Sequence, residues 1–371
     1  MHIICSTSIL NKALQALQKP LTSKQVIPIL TGIYIKTLDN AIELQSADLD
    51  FAVKITIPAQ IQTPGKIVVS GRYLTDVLKR TPSDEIEIFK NNQDNLIYLQ
   101  TLSSEYNLLS MPVEDYPQLS EIDKKAAVLT IDAQMLKDLI TKTSFACAKD
   151  DARSVFKSVL LEIKENNISF VATDTHRLAI KTTVLEKTYP DIKILLPNEF
   201  LIEVSKNIPT NPEEKININF FLEHKKIAVQ IDNLYMQTSI LEGEFPDYTR
   251  VIPKNFTIKT TFKVDELVGA VERAALFSKD GKYINFQIEK QEIIITVDNP
   301  VLGKAKEVIG CFTQGDSLNI TFNSEYVIQI LKRLEKEEAE LLINTAFAPC
   351  SIRQIEDESY NYVLSPMRVN N

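Results

Sequence analysis

Apolar residues recur along the chain with two periods. Three stretches place them three and four residues apart: Ile9, Leu10, Ala13, Leu14 and Leu17; Met135, Leu136, Leu139 and Ile140; Leu267, Val268, Val271, Ala274 and Ala275. That spacing puts each set on one face of a helix. Asp132 and Asp265 stand where N-caps belong, with Ser8 a weaker counterpart. Between the helices the text alternates, as in IYIKTL and AIELQSA, KSVLLEI and NISFVAT, INFQIEK and EIIITVD. Alternation of this kind predicts strands with one buried face.

The pattern repeats. A second helical set appears as Tyr73, Leu74, Val77 and Leu78, then as Phe200, Leu201 and Val204, then as Tyr326, Val327, Ile330 and Leu331. A polar corner carrying an aspartate also returns, at Asp48, Asp174 and Asp298. All these intervals lie at about 126 residues, too long for a solenoid repeat and right for a whole domain. The chain therefore reads as one α+β domain in three tandem copies, 1–125, 126–254 and 255–371, each with helices on one face of antiparallel sheet. A fixed step from copy to copy closes into a ring or runs on as a filament, and a second chain can complete the ring head to tail. Candidate end surfaces are Tyr106 and Leu108 in the first copy and Leu276 and Phe277 in the third.

Composition narrows the chemistry. A net charge of −8 lacks the basic footprint of most nucleic-acid binders. Binding answers to the local field, so DNA is not excluded. Cys5, Cys147, Cys311 and Cys350 are far apart and form no CxxC pair, which argues against a zinc site or a disulfide framework. They read as small buried hydrophobes in a reducing compartment. No apolar run has the length of a membrane span, and MHIICSTSIL lacks the build of a signal peptide; a cytoplasmic protein is expected. Neither a cofactor nor a metal is expected.

The stretch FVATDTHRLAI, residues 170–180, sets His176 two residues after Asp174. That pair invites an acid–base reading. Only His2, His176 and His224 occur, however, and the chain has no GxSxG, HExxH, Walker loop or GxGxxG. Since the aspartate corner has relatives in the other copies, it belongs to the architecture, and no enzymatic activity is expected.

Several segments resemble a known family. LEGEFPDYTRVIPK (241–254), VATDTHRLA (171–179), YVLSPMRV (362–369), IPIL (27–30) and FNSEYVIQIL (322–331) are similar, in order and spacing, to the bacterial sliding clamps, the β subunits of DNA polymerase III. The resemblance runs from end to end. It implies a clamp fold that closes as a head-to-tail homodimer, with helices lining the inner face and sheets outside. It further implies a processivity factor that encircles double-stranded DNA without sequence preference and slides along it. Partners would be the polymerase III α subunit, the clamp-loader complex, and other polymerases and repair proteins that carry short linear motifs. A protein-interaction scaffold of the same fold with no DNA role is the alternative.

Carried over by residue, the resemblance implies a peptide groove of Phe156, Thr173, Thr175, His176, Arg177, Leu178, Pro246, Arg250, Val251, Tyr326, Val363, Leu364, Ser365, Pro366, Met367, Arg368 and Val369. Leu178, Val251, Pro366 and Met367 would form apolar pockets, while Arg177, Arg250 and Arg368 would hold acidic or amide groups. DNA contacts would come from Lys24, Arg72, Lys149, Arg153 and Lys282. The lining helices also carry Lys12, Lys79, Arg80, Lys137, Lys142, Lys332 and Arg333. The dimer patch would set Val77, Tyr106 and Leu108 against Leu276 and Phe277. Departures from the family are Thr175 where glycine is usual, Ser365 for a commoner apolar residue, and the extension Asn370-Asn371. A β-branched residue tolerates positive φ poorly, so the corner at Thr175 is expected to bend differently.

Overall fold

The structure, a computed structural model, describes residues 1–21, 27–91, 94–150, 153–209, 216–278 and 283–368. Among the described residues six α-helices punctuate the strands: α1 (Thr7–Ala16), α2 (Gly71–Leu78), α3 (Ala133–Thr143), α4 (Asn198–Asn207), α5 (Val264–Ala275) and α6 (Ser324–Leu331). In α1 the spacing delivers Leu10, Ala13 and Leu14 to the core, followed by Leu17, all at most 1% exposed. Ile9 is 39% exposed and leaves the expected face, because it sits about 100° around the helix from Leu10. Within the first copy α1 packs on α2, where Asn11 Nδ2 donates to the Leu78 carbonyl at 3.0 Å and Gln18 Nε2 to Thr75 Oγ1 at 2.9 Å. The pair α5 and α6 buries Leu267, Val271 and Ala274 together with Val327, Ile330 and Leu331.

Two of the three expected caps are corrected. Asp132 does cap α3, accepting the Gln134 N–H at 2.9 Å. Asp265 and Ser8 instead lie inside the first turns of α5 and α1, which begin at Val264 and Thr7. In both cases the cap position is the last residue of the preceding strand, Lys263 or Ser6, and neither side chain bonds to the first turn. Asp265 still favours its helix, by setting a negative charge on the positive end of the helix dipole.

The chain divides into two compact units, Met1–Gln134 with Ile202–Ile240, and Met135–Leu201 with Leu241–Asn371. These do not coincide with the three sequence copies. Among the described residues each unit holds one long antiparallel sheet, of 13 strands in the first and 12 in the second. In the first, strand Leu234–Ser239 of the middle copy pairs with Phe51–Pro58 of the first copy, from Leu234↔Ile55 to Thr238↔Phe51. In the second, strand Tyr360–Leu364 of the third copy pairs with Arg177–Val184 of the middle copy, from Arg177↔Leu364 to Lys181↔Tyr360. One rule describes both joints. The last strand of a copy adds to the strand that leaves the aspartate corner of the copy before it. The middle copy is thereby shared between two sheets, and that is why compactness and repetition disagree.

Beside the terminal strands of each sheet, two edges of the kind the joints use are left over. Residues 105–109 of strand Glu105–Met111 pair on one side with Leu96–Gln100, and the other side is joined only at Ser110 and Met111. Strand Gly303–Gln314 pairs with Glu292–Asn299 through residues 303–310, while its second partner, Ile258–Lys263, is met only from Cys311 onward. The first is the last strand of the first copy, and the second is the corner strand of the third. Among the described residues neither edge has a partner.

Candidate docking groove

Asx turns build the corners. In the middle copy Asp174 Oδ1 accepts the N–H of His176 at 3.0 Å and of Arg177 at 3.1 Å. Asp48 does the same for Asp50 and Phe51, at 2.9 and 2.7 Å. In the third copy the acceptor is Asn299, whose Oδ1 takes the N–H groups of Val301 and Leu302 at 2.9 and 3.1 Å. The assignment of that corner to Asp298 is therefore corrected by one residue; Asp298 pairs with Lys304 at 2.5 Å. An Asn side-chain oxygen closes such a turn as well as a carboxylate does, and a search for aspartate alone passes over it.

The middle corner differs from its relatives in its backbone. Among the described residues of the three corners only Thr175, of those that are not glycine, enters the left-handed region, at φ 78°. The expected different bend is not taken, and the strain is held by hydrogen bonds on either side. Thr173 Oγ1 accepts the Thr175 N–H at 3.1 Å and donates to the Arg177 carbonyl at 2.6 Å. Asp174 meets His176 through the backbone, so the apparent acid–base pair is a turn.

Arg177 is buried behind this corner, 5% exposed. Its Nε donates to Asp174 Oδ2 at 3.0 Å and a terminal nitrogen to the Phe145 carbonyl at 2.6 Å. The other terminal nitrogen donates to Gln329 Oε1. The guanidinium also lies 4.2 Å from the Tyr326 ring centroid and 5.3 Å from that of Phe145. Three of its five N–H donors are thereby spent inside the protein, the geometry of a strut, and two remain for the expected grip on a partner's acidic group.

In front of the corner opens a groove of about 270 Å³, lined by Phe156, Thr173, Thr175, Arg177, Leu178, Pro246, Asp247, Tyr248, Val251, Pro349, Val363 and Ser365. A second depression, of about 370 Å³, shares Ser365 and takes in His176, Asn323, Tyr326, Pro366, Met367 and Arg368. Buried behind the first, Leu160, Val171, Leu178, Leu195, Phe245 and Val363 form one apolar cluster. Leu364 lines neither depression and is fully buried, because a strand turns alternate residues to opposite faces. Arg250 lines neither as well; it is exposed and pairs with Asp247 at 2.8 Å. Val369 lies outside the described residues.

Asp247, Tyr248, Pro349 and Asn323 were not foreseen. Asp247 had a local signal, since it starts a short turn by accepting the Thr249 hydroxyl at 2.6 Å. Bonds from Thr249 and Arg250 hold its carboxyl below the usual range. Burial, aided by a 2.9 Å bond to Glu162, pushes the Tyr248 phenol up. Pro349 enters because the strand after it, Cys350–Gln354, lies beside Tyr360–Leu364, which pairs with the middle copy.

The proposed DNA contacts are dispersed. Arg72 is exposed on α2, 4.0 Å from Asp76. Lys149 is exposed, and Arg153 is exposed with its guanidinium 4.3 Å from the Phe156 ring centroid. Lys24 and Lys282 lie outside the described residues. Two helix cations are withdrawn from any lining. Lys142 is buried between Asp138 at 2.8 Å and Glu335 at 2.9 Å, and Arg333 is stacked 4.0 Å from the Phe145 ring centroid while donating to the Thr141 carbonyl at 3.1 Å. At the proposed dimer patch Tyr106 is 40% and Leu276 74% exposed; Val77, Leu108 and Phe277 are half-buried.

Fold and groove together define a class: a chain of three tandem copies of an α+β domain, joined through their sheets, with a groove on the middle corner. Known proteins agree. Family models for the DNA polymerase III beta subunit match in order, the N-terminal domain at residues 1–120, the central domain at 130–247 and the C-terminal domain at 249–368. The beta sliding clamp of Staphylococcus epidermidis is 28% identical over 361 residues, 94% of each chain. A DNA polymerase sliding clamp from Bacillus subtilis superposes with a TM-score of 0.93 at 27% identity, covering 100% of both chains. The DNA polymerase III beta chain of Streptococcus pneumoniae gives 0.93 at 27%, covering 99% of this chain and 100% of that one. The chain belongs to the DNA polymerase III beta subunit family, the bacterial sliding clamps. Its role is that of a processivity factor.

Proposed function

We propose that two copies of this chain, each made of the domains 1–125, 126–254 and 255–371, close head to tail into a ring around duplex DNA. The observation that carries this is the joint rule. It is used twice inside the chain and leaves one unused last strand, 105–109, and one unused corner strand, 303–310. Applying it a third time, between two chains, satisfies both edges twice over and closes the assembly. Exposed Tyr106 and Leu276 lose their contact with water in the same step. An open hydrophobic edge left unpaired is an aggregation template, so closure removes a hazard as well.

The ring supplies topology and docking, with no chemistry of its own. Double-stranded DNA passes through the hole, held by exchangeable phosphate contacts from Arg72, Lys149 and Arg153 and by the lysines at 24 and 282. Partner proteins, among them the polymerase III α subunit, the clamp loader, other polymerases and repair proteins, insert a short extended peptide into the groove of Leu178, Val251 and Val363. Thr175, Ser365 and Met367 shape its polar and adaptable parts. The cytoplasm is the proposed compartment. Among the described residues no helix is long and apolar enough to cross a membrane.

The test is topological. After loading by a clamp loader, the protein is retained on a nicked circular plasmid and lost when the plasmid is cut once. Equal loss from both forms refutes the ring and favours a scaffold without a DNA role.

A further inference from the structure

Equivalent places beside the three corner strands carry different charges. Ala16, Lys142 and Arg273 each stand nine residues after the start of the first helix of their copy, at Thr7, Ala133 and Val264. Ile55, Lys181 and Glu307 lie on the strands that leave the corners. Their ladder partners are Leu44, Phe170 and Ile295, each fully buried and four residues before the side chain that closes its corner. The first joint is apolar at both places, with Ala16 7% and Ile55 9% exposed. The second is charged, and its charges reach across. Lys142 and Lys181 share Asp138, at 2.8 and 3.9 Å. Lys142 also meets Glu335 at 2.9 Å, and Lys181 donates to Ser359 Oγ at 2.7 Å, both in the third copy.

The third copy pairs its two charges with each other. Arg273 Nε donates to Glu307 Oε1 at 3.0 Å and a terminal nitrogen to Oε2 at 2.6 Å. Gly269, one turn earlier on α5, makes room for this, since a Cβ there would stand 3.1 Å from Arg273 Nη1. A glycine inside a helix otherwise weakens it. In the single chain the side chain of Arg273 is 60% exposed and that of Glu307 26%. Glu307 belongs to the unused edge 303–310, so a strand laid against that edge draws the pair out of water. An ion pair buried intact loses its hydration, and two apolar side chains in its place commonly hold more tightly. Removing one partner has the opposite effect, because the other charge is then buried alone.

We propose that Arg273 and Glu307 make the joint between chains the one that opens. This rests on closure of two chains into a ring, which must part somewhere to admit DNA without a free end. Separation at the second joint would strip Lys142 of Glu335. At the closing joint the bonds of the pair lie within one chain, so separation leaves them whole and returns them to water. The seam is thereby weaker than the apolar pattern of the first joint would make it, and it parts and re-forms without stranding either charge.

The experiment is subunit exchange. Full-length protein of natural isotope content is mixed with ¹⁵N-labelled protein, and native mass spectrometry follows the dimers of mixed mass. Arg273→Ala with Glu307→Ile, which installs the residues of the first joint, is expected to slow exchange at least about tenfold. Arg273→Ala alone is expected to speed it about tenfold, since Glu307 is left at the seam without its partner. Arg273→Met with Glu307→Leu stays closer to the original side-chain lengths and replaces the first double variant if that one does not fold, with calorimetry reporting the folding of each. Exchange that neither double variant slows, or that the single variant leaves unchanged, overturns the inference while the ring stands. A wild-type chain that stays monomeric overturns the ring and this inference with it.

Discussion

Replacing Arg177 by alanine tests whether this residue is a strut or a partner contact. Its side chain is 4% exposed and that of Asp174 10%, so solvent screens the pair little. Deleting one member of a buried ion pair costs about 3–5 kcal/mol. The substitution also frees the Phe145 carbonyl and Gln329 Oε1, and it removes the cation packed on Tyr326. Against this, Asp174 keeps the two N–H bonds of its turn, which argues for the lower end, roughly 3 kcal/mol. For a unit of about 200 residues, a loss of that size lowers Tm by about 6–12 °C. Differential scanning calorimetry is the assay, and the second unit is expected to unfold earlier while the first keeps its transition. Arg177→Lys should recover little, since an ammonium cannot donate in three directions while lying flat on a ring. A shift under about 2 °C, together with a large loss of partner-peptide affinity, refutes the strut and returns Arg177 to the groove as a ligand contact.

Three shorter tests follow. Leu276→Asp places a charge at the proposed closing edge, and sedimentation velocity is expected to show monomers; an unchanged dimer moves the interface elsewhere. Burial pushes the thiols of Cys5, Cys147 and Cys350 up to about 12, so iodoacetamide at neutral pH should label half-buried Cys311 first, and equal labelling in mass spectrometry contradicts the packing. Glu340 is 1% exposed: burial alone raises its pKa, yet an ion pair with Lys259 at 2.5 Å and a hydrogen bond from Arg353 Nε at 2.6 Å outweigh that and leave it lowered. A lowered folded-state value contributes stability above the ordinary glutamate pKa and loses it as pH falls through the folded value. Glu340→Gln should therefore cost Tm at pH 7 and flatten its decline between pH 5 and pH 2, whereas parallel Tm–pH curves contradict the assignment.

Periodicity exposed the repeat because domains of equal length carry their helices and corners at equal offsets. The stripe of α1 was readable to within one residue, at Ile9, since a helix turns about 100° per residue and an edge position falls either way. Caps at Asp265 and Ser8 misled for a different reason: each helix begins one residue before the polar side chain, and an apolar stripe does not fix a helix start to the residue. The corner at Asn299 shows that a motif defined by one residue type hides equivalents that supply the same acceptor atom. Groove residues on continuous segments, such as Thr173 to Leu178, could be named from sequence. Pro349 could not, since it arrives only when Tyr360–Leu364, the neighbour of the strand that follows it, pairs with the middle copy. The commitment of Arg177 to Phe145 and Gln329 was likewise invisible, because it depends on three segments meeting around one guanidinium.

The joint rule also sets a timetable for synthesis. Strand Phe51–Pro58 receives its neighbour only when Leu234–Ser239 has been made, and Arg177–Val184 waits for Tyr360–Leu364. Each wait is about 180 residues, or roughly 10–40 s at bacterial-to-eukaryotic elongation rates of about 5–20 residues per second. For that interval a ribosome carries a nascent chain with an uncovered strand edge, and on a polysome identical edges emerge side by side. Slowing translation within residues 60–230 should therefore lower the yield of folded protein without any change in its sequence, a liability of the gene's codons more than of the finished fold.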